Sequence, residues 1–488
     1  MLFAQAHMSV TPDIKAAYEA ASQLKMEEAD SIIQKIKTND PSNKLVFHVE
    51  NYIDFFTHFI NEDKAAFEKD EDRLEERLSK IKEEVIDSPY FLFSQAEMEL
   101  QWALIRFKFN QRIKGGLAVL RAYKLLEENL LKYPEFAENK KSLSIIHSMA
   151  PSVPSVIRKV LGIKGSIEEG TYEILDFVKK AESEGSLFYR EGVVVATYIL
   201  FYLNNDKEGA WDLLKEHDLD IESNPLLTFI YSNMAQKTGQ NDLAIQLLEA
   251  YTPQEGQLPF YYLDLLLGKN KLYRLDADAD LPIRRYLNQF KGKHFIKEGF
   301  QKLAWYELVI NEDQKAYDQY IKRCLTFGED LTDEDKQALK EAKSKSTVNP
   351  ILLKARLLYD GAYLSRAHHL LIQHEKDFAN GDREEEEYRY RLGRILQGLE
   401  NLPEALDIYT DLINDFEDSN TYFRCNAALQ AGLIMEDQER YREALDFLHQ
   451  CLSIDAKTYK SSLHQKAKAG IERVQTKGLK DKASTIEK

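Results

Sequence analysis

"YRLGRILQGLENLPEALDIYTDLI", residues 390–413, decides the fold. Gly393 is followed by Ala405 twelve positions on and by Tyr409 four further. This small, small, aromatic spacing lets two antiparallel helices pass closely while a ring fills the space beside the crossing. The phrase returns as Gly432, Ala444 and Leu448, 39 positions after its predecessor. Helix-pair repeats of this kind have an ideal period of about 34 residues, and an extended connection around "FEDSNTYF" (416–423) takes up the surplus.

The same spacing recurs upstream at Ala17/Ala29/Ile33, Tyr198/Ala210/Leu214, Ser232/Ala244/Leu248, Ala304/Ala316/Tyr320 and Ala355/Ala367/Leu371. One match is cheap in an alanine-containing helical chain, whereas seven form a pattern. The spacing is that of tetratricopeptide repeats, and it predicts an all-α solenoid: a right-handed superhelix of antiparallel helix pairs. Punctuation agrees in phase. Asn224-Pro225 and Asn349-Pro350 each offer an N-cap followed by proline at the first helical position. Thr332 with Asp335 forms a capping-box phrase. Leu74, Leu78, Ile81 and Val85 put an apolar stripe on one helix.

These signals divide the chain into helical repeats over 11–150, irregular repeats over 151–330, a linker helix at 331–348, clean repeats over 349–476 and a tail at 477–488. The stretch from Lys457 to the end, which includes this tail, carries nine Lys or Arg against three Asp or Glu. The start, "MLFAQAH", is too short for a signal peptide. Ala4-Gln5-Ala6 nevertheless has the form of a cleavage site, so residues 1–10 read as the remnant of an export signal if the true start lies upstream. As written, the chain reads as cytoplasmic.

With 488 residues, 44% hydrophobic and 30% charged, the chain can bury a large core. Its net charge of −16 argues against broad nucleic-acid binding, which needs surplus Lys and Arg. Its longest uncharged apolar run, from Gly192, is too short to span a bilayer. Cys324, Cys425 and Cys451 form no zinc-type spacing and read as buried apolar groups.

The phrase "MAPSVPSVIRKVLGIKGSIEEG" (149–170) tests for a phosphate loop and fails, because Gly162, Gly165 and Gly170 match neither glycine-rich pattern. Pro154 opens a helix instead, Gly162 stops it, and the glycines turn the chain into a helix beginning near Glu168. Pro154 to Leu161, Gly162-Ile163-Lys164-Gly165, Glu169-Gly170 and Leu175 resemble the helix junction of the inclusion-body clearance tetratricopeptide family. "GGLAVLRAYKLLEENLLKYPEF" (115–136) and "YRLGRILQGLENLPEAL" (390–406) resemble its flanking segments, while Ile163 and Ser166 depart from the family's aromatic and Asp. The resemblance implies an all-helical repeat fold, no catalytic residues, and adaptor roles in protein quality control and lipid handling.

No catalytic residues, metal ligands or cofactor emerge from the motifs. Asp276, Asp278 and Asp280 have the start of a calcium loop, but Leu281 and Leu287 stand where it needs Gly and Glu. His368, His369 and His374 lack a shared helical face and a further ligand. The run Glu384–Glu387 suits a helix N-terminus. A protein or peptide partner is therefore expected, docking on the concave face through Glu387, Tyr390, Arg394, Gln397, Asn426, Leu429 and Leu433, with Tyr390 and Arg394 foremost. Tyr390 with Arg391, and Leu429 with Gln430, stand where a terminal-carboxylate clamp would need Lys and Asn. The alternative is a small-molecule or lipid binder lined by "LPFYYLDLLLGKNKLY" (258–273). An enzyme whose site assembles only in three dimensions is a third reading.

Overall fold

The computed structural model describes residues 5–486 except 155–157, 160, 218, 220, 222, 345–347 and 380, with side chains as far as residue 476. It forms two compact units: Met1–Asn270, Leu281–Gly299 and Phe327–Lys336 make the first, and Lys271–Asp280, Phe300–Thr326 and Gln337–Lys488 the second. Among the described residues every regular element is a helix, apart from a lone backbone bridge between His7 and Asn43. Residues 6–8 belong to the first unit's packing, since Met8 is buried and His7 exchanges backbone bonds with Ser42 and Lys44.

The first unit stacks helix pairs: α1 (Pro12–Ser22) with α2 (Met26–Asn39), and α3 (Leu45–Asn61) with α4 (Lys64–Asp70) and α5 (Arg73–Lys82). Next come α6 (Pro89–Lys108) with α7 (Arg112–Lys132), and α8 (Glu138–Met149) with α9 (Ile167–Glu184). The pairs α10 (Tyr189–Tyr198) with α11 (Lys207–Glu216) and α12 (Pro225–Lys237) with α13 (Asn241–Ala250) follow. One apolar core runs through this stack from Ile14 to Met234.

Four further helices, α14 (Tyr262–Arg274), α15 (Asp280–Gln289), α16 (Ile296–Val309) and α17 (Gln314–Thr326), precede α18 (Asp333–Lys343). In the second unit α19 (Pro350–Asp360) pairs with α20 (Leu364–Gln373), α21 (Arg383–Gly398) with α22 (Leu402–Asp415), and α23 (Tyr422–Asp437) with α24 (Tyr441–Ser453). The closing helix α25 (Lys460–Ile486) continues into the segment read as a tail.

The repeat phase is visible in the turns. Leu24, Ala362, Glu400 and Glu439 each adopt left-handed backbone (φ 61, 62, 61 and 60°), and each lies seven residues after the small residue of its repeat. At each turn the next amide reaches back to the closing helix: Lys25 N to Ala20 O (2.9 Å), Tyr363 N to Leu358 O (2.8 Å), Asn401 N to Leu396 O (3.0 Å) and Arg440 N to Met435 O (2.9 Å). This is the six-to-one bond of a Schellman closure, which satisfies carbonyls the helix end would otherwise orphan. It is built here on residues that lack glycine's freedom.

The small positions are buried as the spacing requires. Ala17, Ala29, Ile33, Ala210, Leu214, Ser232, Ala244, Ala355, Ala367 and Leu371 are inaccessible, as are Ala405, Tyr409, Ala444 and Leu448. Two matches slip. Tyr198 is half exposed and Thr197 is buried instead, because a π-helical turn over Ile199–Leu203 inserts one residue and rotates the helix before it. After Ala304, the left-handed turn comes at Glu312, one position late, so Tyr317 and Ile321 are buried in place of Ala316 and Tyr320. The stripe on α5 holds at Leu74, Leu78 and Ile81 and fails at Val85, which lies beyond the helix and is exposed.

The caps form as read. Asn224 accepts from Leu226 N and Leu227 N, and Asn349 from Ile351 N and Leu352 N. Asp335 does more than cap its own helix: it is buried and accepts from Phe295 N (2.7 Å) and Glu298 N (3.1 Å) at the start of α16. In the glycine phrase, part of the helix after Pro154 lies outside the described residues. Gly162 has φ 71° and Ser166 caps α9 through Glu169 N. All three cysteines are buried. Phe260 and Tyr262, from the aromatic stretch, pack on Phe229 within the first unit.

Candidate functional site

In the second unit the first helices of successive pairs, α19, α21, α23 and α25, lie side by side. They present one continuous face, and the expected binding residues sit on or under it. Position relative to the small residue decides which. Arg356, Arg394 and Leu433 each follow the small residue of their repeat by one and share the face. Tyr390 and Leu429 precede it by three and turn inward.

Tyr390 and Leu429 are therefore corrections to the expected site. Tyr390 is 7% exposed and Leu429 1%. The Tyr390 ring lies 5.2 Å from Phe423, and its hydroxyl accepts from Asn426 Nδ2 at 2.6 Å. The same hydroxyl accepts from Arg394 Nη1 at 3.4 Å. Tyr390 thus supports the face from beneath. Glu387, Gln397, Asn426 and Leu433 are half-buried, and polar partners hold three of them. Glu387 pairs with Arg391 one turn on, Gln397 accepts from the Tyr409 hydroxyl (2.9 Å), and Asn426 accepts from Gln430 (3.1 Å).

Arg394 is the exception. Its Nη2 donates to the Tyr359 hydroxyl at 2.7 Å, and the guanidinium lies 5.3 Å from that ring's centre. Its Nε is buried and has no hydrogen-bond partner among the described residues. No carboxylate lies within ion-pair distance of it among those residues. A guanidinium held by two phenols is oriented but not neutralised.

Arg356, one turn before Tyr359 on α19, extends the same strip. It stacks 4.8 Å from the centre of the Trp305 ring and meets Asp360 only at 3.6 Å. The Trp305 indole donates to Glu341 at 2.9 Å and carries Lys302 over its ring at 3.7 Å. Sequence reasoning missed Arg356 and Tyr359, although the phase of Ala355 placed Arg356 one past a small residue.

The run Glu384–Glu387 is more than a helix start. Glu386 is buried and accepts from the Ser419 and Thr421 hydroxyls, fixing the extended connection between α22 and α23. Burial raises its carboxyl above the usual range, and those hydroxyls oppose the shift.

The first unit holds a second polar assembly, gathered from the first helices of five pairs. Lys141 on α8 is wholly inaccessible, and its ammonium lies 2.7 Å from both Glu97 on α6 and Glu191 on α10. Glu191 also accepts from the hydroxyls of Tyr18 on α1 (3.1 Å) and Tyr52 on α3 (2.8 Å), and Glu97 accepts from Ser142. The rings of Phe188 and Phe93 flank the ammonium at 4.9 and 5.8 Å. Burial alone would depress Lys141, but the two carboxylates outweigh it and hold the ammonium above its ordinary value. It is a cation and not a nucleophile. His48, beside it, is pushed down to about 3 by burial and by Lys141, so the ring is neutral. The ammonium, the two carboxylates and the hydroxyls satisfy one another, while His48 bonds only through Nδ1 to Ser94 and its buried Nε2 has no partner among the described residues. The assembly is a structural seam.

Asp276 and Asp278, from the calcium-like phrase, are held by Arg274 and Lys271. His374 pairs with Asp377. No described helix is long and apolar enough to cross a membrane.

Comparison with known proteins adds little beyond this geometry. No family model matches the chain, and no curated protein matches it. The resemblance at 154–175 therefore stands on its residues alone. Among solved structures the chain is similar to one in "Structure of Naa15/Naa10 bound to HypK-THB", at 14% identity and a TM-score of 0.27. That match covers 94% of this chain and 65% of the other, so the chain spans just under two thirds of it. Helix pairing, turn phase and buried small positions define an all-α helical-repeat solenoid of the tetratricopeptide-like kind.

Proposed function

We propose that the chain is a non-catalytic helical-repeat adaptor that binds an extended, acidic segment of a partner protein along the first-helix face of its second unit. Arg394 receives a carboxylate there, and Arg356 lies further along the same strip. One observation carries the reading: Arg394 is oriented by Tyr359 and Tyr390 but has no carboxylate partner among the described residues. Leaving a half-buried guanidinium unneutralised is costly, and an incoming carboxylate would remove that cost through two parallel charged hydrogen bonds. Adaptor roles implied by the junction resemblance point the same way.

The test is titration of the full chain with a fluorescent peptide array in which acidic and amidated sequences alternate. Acidic peptides should bind the native protein and lose about tenfold or more in affinity with Arg394→Gln. Unchanged affinity in the variant, or no preference for acidic peptides, would remove this reading.

A further inference from the structure

The glycine phrase at 149–170 plays no part in the binding face, yet it builds a distinct cluster in the first unit. Gly165 has φ 139°, and a β-carbon there would stand 2.5 Å from His147 Cα. A β-carbon on Gly170 would collide with Ser148. Two residues without side chains thus allow the start of α9 to lie directly on the end of α8. The consequence is chemical. Glu169 and Glu173, one turn apart on α9, close on the imidazole of His147 from α8. His147 Nδ1 is 2.8 Å from Glu173 and 3.8 Å from Glu169, and the three ligand atoms lie within 4.8 Å of one another.

We infer that His147, Glu169 and Glu173 form a divalent-metal site that takes zinc and clamps α8 to α9. Zinc bonds of about 2.0–2.2 Å in tetrahedral array hold donors about 3.3 Å apart, a value the two observed separations bracket. One imidazole and two carboxylates are a donor set suited to zinc, with a fourth position open to water. The side chains grade from 8% exposed at His147 through 14% at Glu173 to 52% at Glu169, so the cluster has a buried floor and an open mouth.

Charge points the same way. Glu127 on α7, whose carboxylate accepts from the Tyr123 hydroxyl at 3.0 Å, adds a third negative group beside the imidazole. Among the described residues no Lys or Arg pairs with Glu127, Glu169 or Glu173. The adjoining junction carries Arg158, Lys159 and Lys164, and none of them pairs with these carboxylates among the described residues. Three carboxylates around one imidazole leave an excess that a divalent cation balances.

The experiment is calorimetric titration of metal-stripped full-length protein with zinc chloride at neutral pH, on the native chain, Glu173→Gln and Glu169→Gln. Circular dichroism checks each fold, and the exposed Glu169 provides a variant whose folding is safe if Glu173→Gln unfolds. The native chain should bind one zinc saturably and gain thermal midpoint with it. Each variant should bind more than about tenfold more weakly and lose that gain. Absence of saturable binding to the native chain, or unchanged affinity in folded Glu169→Gln, overturns the proposal.

Discussion

The ring of Tyr409 occupies the space a side chain on Gly393 would need: a β-carbon there would stand 2.5 Å from Tyr409 Cε1. The ring is wholly buried, and its hydroxyl is anchored on Gln397. It cannot retreat without disturbing the α21–α22 crossing. Gly393→Ala should therefore destabilise the chain by about 1–3 kcal/mol through overpacking, despite the gain in helix propensity. Gly116 on α7 meets nothing within 4 Å, so Gly116→Ala should stabilise by about 0.5–1 kcal/mol. Urea unfolding of the two variants should give stability changes of opposite sign, and a stabilising Gly393→Ala would contradict the close approach.

Lys141→Met should be among the most disruptive single changes in the first unit. It leaves Glu97 buried and Glu191 partly buried without their cation, and breaking such a pair costs about 3–5 kcal/mol. Adding Glu97→Gln should recover part of the loss, because one stranded charge is removed with the cation. A double-mutant cycle by chemical denaturation measures the coupling.

Acid should weaken the first unit through Glu62. This carboxylate ends α3, is 5% exposed, and accepts from His294 Nδ1 (2.7 Å), His294 N and Lys293 N, with Lys108 at 2.8 Å. Burial pushes its pKa up, but His294 and Lys108 outweigh that and hold it at about 2 against an ordinary 4.5. A depressed carboxylate contributes stability that is fully present above about pH 4.5 and lost as pH falls toward 2. The contribution is on the order of 3 kcal/mol. His48, neutral when folded, adds to the loss in the same direction as the unfolded ring takes up its proton. Denaturation midpoints between pH 7 and pH 3 should fall, and Glu62→Gln should flatten the part of the slope below about pH 4.5.

Tyr390→Ala and Arg394→Gln should behave differently although one turn separates them. Emptying the Tyr390 site removes a buried ring and should cost about 3–5 kcal/mol, while Arg394→Gln should shift stability far less and act on peptide affinity. Thermal midpoints measured alongside the peptide titration separate the two effects, and equal destabilisation by both would place Arg394 in the core as well.

How much was legible follows from what each feature depends on. The repeat phase was readable because close helix crossings admit only small residues, so Gly393, Ala405, Gly432 and Ala444 announce themselves by type and spacing. Caps at Asn224 and Asn349 were readable because their bonds close within three residues. The slips at Tyr198 and Ala316 were not, since an inserted π turn and a late left-handed residue leave no composition signal. The non-glycine turns at Leu24, Ala362, Glu400 and Glu439 were hidden for the same reason.

Sequence by itself determined the class of fold, the phase of most repeats and the line of residues from which the proposed binding face is drawn. Tertiary structure alone decided which of them are inside. It turned Tyr390 under the face and left Arg394 on it, gathered Tyr18, Tyr52, Glu97, Lys141 and Glu191 from five helices into one seam, and set His147 against Glu169 and Glu173. Periodicity fixes which residues share a helix face. What covers that face is set by helices far away in the chain, through the stacking of one pair on the next.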